Sequence, residues 1–284
     1  MTAAKTCGIL YVVATPIGNL DDLSDRARKV LSEVDLVAAE DTRHSGKLLQ
    51  AVGSTARMLS LHEHNERQRA IQLLDYLQSG KNIALISDAG TPLISDPGFN
   101  LVRELVEQDV RVVPIPGACA AIAALSVSGL PTDRFVFEGF LPSKATKRRE
   151  HLASLRDETR TLVFYESPHR IQESLAEMQN AFGSERRAVV CRELTKVYET
   201  TYRGTLGELC ERAVSDADML RGEIVIVVAG DLIRRTGAVL NAEMVLDVLL
   251  AELPASQAAK LAAKLCDADR GHMYELAVKR KTRN

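Results

Sequence analysis

The stretch Asn82–Gly98, NIALISDAGTPLISDPG, decides the fold class. Its first half, Asn82 to Ser87, is a short apolar run of the length of a buried strand. Its second half repeats Ser-Asp-x-Gly at a spacing of eight, at Ser87 and Ser95, and holds Pro92 and Pro97. Small, acidic and proline residues there end the strand in an open loop. Outward from this unit the same pattern recurs. Runs at Gly8–Ala14, Asp35–Ala39, Arg57–Leu61 and Val110–Pro114 read as strands. Between them lie amphipathic segments: one puts Ala27, Val30, Leu31 and Val34 on a single stripe, another Ala70, Leu73, Leu74 and Leu77 before Gly80. Strand and helix in alternation give a parallel sheet covered on both faces.

From Pro116 the character changes. A small-residue helix, Ala118–Ser128, is followed by strands at Arg134–Glu138, Thr161–Tyr165, Arg187–Arg192, Val197–Arg203 and Glu223–Ala229. Two of these adjoin with only a short turn, and the alternation of Tyr198, Thr200 and Tyr202 marks a half-exposed antiparallel strand, so this sheet is mixed. Ser167 before Pro168 reads as a helix N-cap, and Thr205 with Glu208 as a capping box. Asp231–Asn241 reads as a linker. Beyond it, Ala242–Glu252, Ser256–Cys266 and His272–Lys279 read as helices, either a helix-turn-helix or a helical cap. The expected domains are 1–116, 117–232 and a helical tail at 238–284, all α/β but the last.

The chain has 284 residues, 46% hydrophobic and 26% charged, a globular composition that excludes disorder, collagen and coiled coil as its main organisation. A net charge of -2 provides no global field for nucleic acid, and the lack of Trp argues against a broad base-stacking surface. Runs such as Cys119–Val127 are far short of the ~20 apolar residues that cross a bilayer, so no membrane span is expected. The N-terminus resembles no signal peptide, and a cytoplasmic protein is expected. Five widely spaced cysteines and six histidines without ligand spacing point to no disulfide framework and no metal.

Four segments could carry chemistry. Ala14–Leu20 leaves the first strand through Pro16 and Gly18, as a ligand-binding turn or simply a tight one. Ser87–Gly98 offers acidic and backbone oxygens but no Lys or Arg, and neither a Walker A pattern nor GxGxxG occurs anywhere; a cation or nucleoside hydroxyls suit it better than phosphate. Pro114–Ala121 enters an Ala-rich helix, for ligand approach or for dense packing. The fourth group, Glu138–Lys144, Tyr165–Arg170 and Arg192–Lys196, sets acids and bases at strand ends. It includes four basic residues against one acid between Pro142 and Glu150. His169 is the usual type of general base, while Glu166 with Arg170 and Glu193 with Lys196 suit either chemistry or ion pairing.

Taken in order, ATPIGNLDDLS, SDAGTPLISDPG, PIPGACAA, EGFLPSK, FYESPHR, CRELTKVYET and RGEIVIVVAG resemble the tetrapyrrole methylase superfamily from about Gly8 to Gly230. Within it the blocks are similar to a branch that methylates the 2'-hydroxyl of a cytidine in 16S ribosomal RNA on the small subunit. The resemblance implies two α/β domains, a helix-turn-helix tail, a homodimer, and S-adenosylmethionine folded between the domains. By motif position the cofactor would meet Pro16, Asp88, Gly90, Thr91, Pro92, Ile94, Cys119, Ala120, Tyr165, Leu194 and Glu223. The superfamily's Gly-Asp-Pro loop reads Gly90-Thr91-Pro92 here, leaving Asp88 or Asp96 to supply the acid. For RNA the expected contacts are Lys144, Lys147, Arg148, Arg149, Arg170 and Arg192. For catalysis, Glu166, His169 or Glu193 would take the hydroxyl proton beside Lys196. The rivals are a tetrapyrrole or diphthamide-precursor methylase of the same fold, against which stand the basic clusters and tail, and a non-enzymatic RNA-binding assembly factor.

Overall fold

The computed structural model describes residues 7–62, 65–231, 242–266 and 268–281. The chain divides into two compact units, Met1–Gly230 and Asp231–Asn284. The first opens with β1 (Ile9–Val13), α1 (Asp25–Glu33), β2 (Leu36–Ala39), α2 (Thr42–Ala51), β3 (Arg57–Ser60), α3 (Glu66–Gln78), β4 (Ile83–Ile86), α4 (Phe99–Glu107) and β5 (Arg111–Ile115). The five strands are all parallel in the order β3-β2-β4-β1-β5. Every residue of β2 and β4 is buried, as expected of strands with helices on both faces. Leu73, Leu77 and Leu101 cover one face and Ala27, Leu31 and Leu49 the other.

The chain then enters α5 (Ala120–Ser128), β6 (Phe135–Phe140), α6 (Ala145–Ser154), β7 (Thr161–Glu166), α7 (Ile171–Phe182), β8 (Arg187–Arg192), β9 (Thr200–Thr205), α8 (Leu206–Ser215) and β10 (Ile224–Val228). The second sheet, β6-β7-β10-β8-β9, is mixed: β6 runs parallel to β7 and the other neighbours pair antiparallel. Although α5 follows the first sheet, it packs on the second. Ala121, Ala124 and Leu125 lie against Val163, Val189 and Val225. Ala121 and Ala124 are therefore packing residues, allowing a close helix-to-sheet approach, and Ile17 from the loop after β1 joins the same core.

Several boundaries differ from the sequence reading, and two have a visible cause. Ser167 does not cap α7: Ser167–Arg170 form a turn and Arg170 occupies the cap position, because the Glu166 carboxylate draws in the Ser167 N–H and the Arg170 side chain. The strand expected from Val197 begins at Thr200. Glu193 and Thr195 have left-handed φ of 51° and 65°, and the Arg192 guanidinium holds the Tyr198 carbonyl, so pairing with β8 starts only at Thr200. The Thr205–Glu208 capping box is formed. α4 starts at Gly98 with no side-chain cap of its own; the buried Glu66 carboxylate accepts the Leu101 N–H at 2.9 Å instead, fixing where the Ser87–Gly98 loop ends.

The second unit holds α9 (Ala242–Glu252), α10 (Ala255–Cys266) and α11 (Arg270–Lys281), packed around Leu246, Ala258, Ala262, Met273 and Ala277. Arg280 bonds the Glu243 carboxylate at 2.7 Å and pairs with Asp247. The linker, apart from Asp231, lies outside the described residues. Among the described residues, no helix is long and apolar enough to cross a membrane.

Candidate active site

Adjacency in the first sheet explains why three separate sequence segments converge. β4, β1 and β5 are neighbours, so the loops at their C-terminal ends emerge side by side, the usual ligand position in an open parallel sheet. Thr15 and Gly90 exchange backbone hydrogen bonds at 2.9 and 3.1 Å, and the Thr15 hydroxyl donates to the Ser87 carbonyl. The Thr91 hydroxyl donates to the Ala118 carbonyl at 2.9 Å. Gly90 has φ +84°, and a Cβ there would lie 3.2 Å from the Ile17 side chain. Leu93 and Ser95 in the same loop hold left-handed φ of 72° and 66°, an arrangement that costs energy and recurs at working sites.

Facing these loops are the ends of β7 and β10 and the turn after β8. Together they enclose a cavity of about 340 Å³, ample for a small ligand. Of the residues assigned to the cofactor by motif, Asp88, Gly90, Thr91, Ile94, Cys119, Ala120, Tyr165, Leu194 and Glu223 line it; Pro16 and Pro92 stand next to lining residues but outside the lining. Asp96, named as the alternative to Asp88, lines it too, as do Phe140, Ser167 and Gly222, which the motif reading did not assign to the cofactor. Asp96 was visible in the repeated Ser-Asp-x-Gly; Gly222 had no local signal.

Among the described residues, the lining contains Asp88, Asp96, Glu166 and Glu223 but no Lys or Arg. With apolar walls from Ile17, Ile94, Leu194 and Val225, this donor set fits an adenosine bearing a positively charged sulfonium and is unsuited to a polyphosphate. Burial raises the Asp96 carboxyl above its ordinary 3.8; a hydrogen bond with Ser87 works against this and the Asp88 charge adds to it. Burial likewise pushes the Tyr165 phenol up. Its oxygen accepts the Ala121 N–H at 3.3 Å, and its ring meets Phe137 and Phe140 edge to face.

The acids proposed from sequence are held differently. Glu166 is buried with its carboxylate fully engaged: Arg170 at 2.6 Å and the Ser167 N–H at 2.7 Å on one oxygen, the Ser174 hydroxyl at 2.5 Å on the other. Glu193 accepts from Lys196 Nζ at 2.7 Å and from the Glu223 N–H at 2.9 Å. Burial raises its carboxyl, but these two bonds outweigh that and hold it below its ordinary value. Burial lowers the Lys196 ammonium, and its bonds to Glu193 and Glu223 more than restore it, so it stays a cation. Two glycines make room for the pair. A Cβ on Gly18 would come within 2.3 Å of the Lys196 stem; one on Gly222, at φ +79°, would come within 2.3 Å of the Glu193 carboxylate. His169 is exposed and outside the cavity lining.

Among the basic residues, Lys144, Lys147 and Arg149 are exposed on α6 or at its start, while Arg170 donates to the Leu141 carbonyl besides its pair with Glu166. Two assignments are corrected. Arg148 is 1% exposed, paired with Glu173 at 2.6 Å and Glu177 at 2.5 Å, and has no face left for a phosphate. Arg192 is buried, its guanidinium donating to the Arg221 and Tyr198 carbonyls at 2.9 and 3.0 Å, so it shapes the Glu193–Glu199 turn instead.

A ligand cavity between a parallel and a mixed sheet, with no glycine-rich phosphate loop, defines a class: residues 9–210 match the family Tetrapyrrole (Corrin/Porphyrin) Methylases. Among solved structures, a diphthine synthase superposes with a TM-score of 0.58 at 16% identity, covering 78% of this chain and 90% of that one. A Thermus thermophilus uroporphyrin-III C-methyltransferase complexed with S-adenyl homocysteine gives 0.53 at 19%, covering 80% and 99%. Both support the fold alone. Residues 237–281 match the RsmI C-terminal HTH domain. Ribosomal RNA small subunit methyltransferase I of Pseudomonas aeruginosa is 54% identical over 278 residues, 97% of this chain and 99% of that protein. Its Haemophilus influenzae counterpart is 48% identical over 95% and 96%. The chain belongs to the ribosomal RNA small subunit methyltransferase I family.

Proposed function

We propose that the chain methylates the 2'-hydroxyl of a cytidine in the decoding region of 16S ribosomal RNA, on the small subunit, using S-adenosylmethionine. The observation that carries this is the acid-lined, cation-free cavity, combined with kinship to rRNA methyltransferases over nearly the whole length of the chain. Asp88 suits the nucleoside hydroxyls, and Ile17, Ile94, Leu194 and Val225 suit the adenine and the methionine chain. When bound, the cofactor supplies an electrophilic methyl: the ribose oxygen gains it, the sulfur keeps the bonding pair as a thioether, and the hydroxyl proton must leave.

Of the acids around the cavity, Asp96 is the one suited to receive that proton. Its burial favours the protonated form, whereas Glu193 is held ionised, the Glu166 oxygens are engaged, Glu223 pairs with Lys196 and Asp88 accepts the Asp41 N–H. Glu166 is then the residue that fixes Arg170 and the Ser167 turn, and Lys196, fixed by Glu193 and Glu223, is a standing cation near the cavity wall. Lys144, Lys147, Arg149 and Arg170 would draw in the RNA backbone. His169, being exposed, is assigned no proton transfer. The working form we infer is a homodimer in the cytoplasm. Incubation with tritiated S-adenosylmethionine and small subunits lacking their modifications tests the function: label in the ribosomal RNA is expected, and cofactor binding without such label would turn the assignment toward another acceptor.

A further inference from the structure

A 2'-hydroxyl in helical RNA is displayed in a wide, shallow groove, and a recessed cavity between two sheets admits its ribose most readily when the nucleotide leaves its stack. That unstacking needs compensation from the protein, and an aromatic face at the cavity mouth is the usual source. Phe140 has that position. It is the last residue of β6, the edge strand of the second sheet, and it lines the cavity. The strand is irregular between Phe137 and Gly139, where Gly139 has φ +65° and its Cα so closely approaches the facing loop that a Cβ would lie 3.0 Å from the Ser95 hydroxyl. Such a bulge redirects the next side chain. It brings Phe140 opposite Tyr165 in the register, with their rings 5.5 Å apart at 65°. Thus braced, the Phe140 ring is still 57% exposed. What distinguishes this exposed ring is its place at the cavity lining, braced by Tyr165. Shortly beyond it begins the exposed cationic group Lys144, Lys147 and Arg149, which suits the phosphates flanking a displaced nucleotide.

We propose that Phe140 is the platform on which the base of the target nucleotide stacks when its ribose enters the cavity. This rests on the RNA methylation reading given above. The ring acts in substrate binding and specificity and takes no part in moving the proton.

The test uses the full chain with unmodified small subunits and three substitutions, Phe140→Ala, Phe140→Leu and Phe140→Trp. Loss of a stacked base predicts that kcat/KM for the subunits falls roughly 10- to 100-fold in the alanine variant. The leucine variant, apolar but without a π face, should fall comparably, and the tryptophan variant should stay within about 3-fold of the unaltered protein. Calorimetric affinity for S-adenosylmethionine should fall far less than kcat/KM in the alanine and leucine variants. A leucine variant as active as the unaltered protein overturns the stacking role, as does an alanine variant with full kcat/KM or one whose loss is matched by weaker cofactor binding. If the unaltered protein itself leaves the ribosomal RNA unlabelled, the functional reading fails and this inference with it; label by the unaltered protein and all variants alike refutes this inference alone.

Discussion

Replacing Gly222 by alanine should cost two separable amounts of stability. The first is backbone strain: at φ +79° an L side chain crowds its own carbonyl, about 1 to 2 kcal/mol. The second comes from the Glu193 carboxylate, whose Oε1 would stand 2.3 Å from the new Cβ and must move. Moving it breaks its bonds with Lys196 Nζ at 2.7 Å and the Glu223 N–H at 2.9 Å, worth about 1.5 kcal/mol or more together because an ion takes part in both. The expected total is roughly 2.5 to 3.5 kcal/mol or more. Gly129 supplies the control, since its φ is +73° and an added Cβ meets nothing within 4 Å; Gly129→Ala should cost only the strain of about 1 to 2 kcal/mol. Urea unfolding of both variants, followed by circular dichroism, measures the difference. Equal losses in the two would refute the tight packing of Gly222 against Glu193 and, with it, the account of how Lys196 is fixed.

Asp96→Asn should cut turnover about 100-fold or more while leaving S-adenosylmethionine binding intact by calorimetry. It should also stabilise the protein at neutral pH: a carboxyl raised in the folded state favours folding only at low pH, and that contribution is lost as pH rises from its ordinary 3.8 through the folded value. The gain in Tm should accordingly vanish toward pH ~4; the same or lower Tm at neutral pH would show that the carboxyl is not strained there. Arg148→Met should cost about 3 kcal/mol by urea unfolding, because it leaves the Glu177 carboxylate only the looser pair with Arg149 at 3.7 Å, yet leave the salt dependence of subunit binding unchanged. Changing Lys144, Lys147 and Arg149 together to alanine should instead flatten that salt dependence, by a slope of about 0.7 to 0.9 for each phosphate no longer neutralised, with little change in unfolding.

Most strands were readable in the sequence as short apolar runs, several of them closed by Gly, Pro or Asp, and many of the residues that line the cavity sit directly after such runs. Their convergence was not readable. It depends on strand order, which sets β1 between β4 and β5 and so joins Pro16 to the Gly90 and Cys119 segments. Arg148 looked like one member of a basic run, but the helical turn puts it inward between exposed Lys147 and Arg149, toward Glu173 and Glu177, four apart on α7. Gly222 and Glu193 lie 29 residues apart in sequence, so nothing local marks one as making space for the other. Ser167-Pro168 had the composition of a helix start, and the neighbouring buried Glu166 overrode it by drawing the chain into a turn.

The most direct test is to digest ribosomal RNA from the reacted small subunits to nucleosides and identify the methylated product by mass spectrometry. A single 2'-O-methylcytidine, formed with S-adenosylmethionine and lost in Asp96→Asn, is the predicted result. A methyl group on a base, or on no ribosomal nucleotide although the cofactor binds, would contradict it.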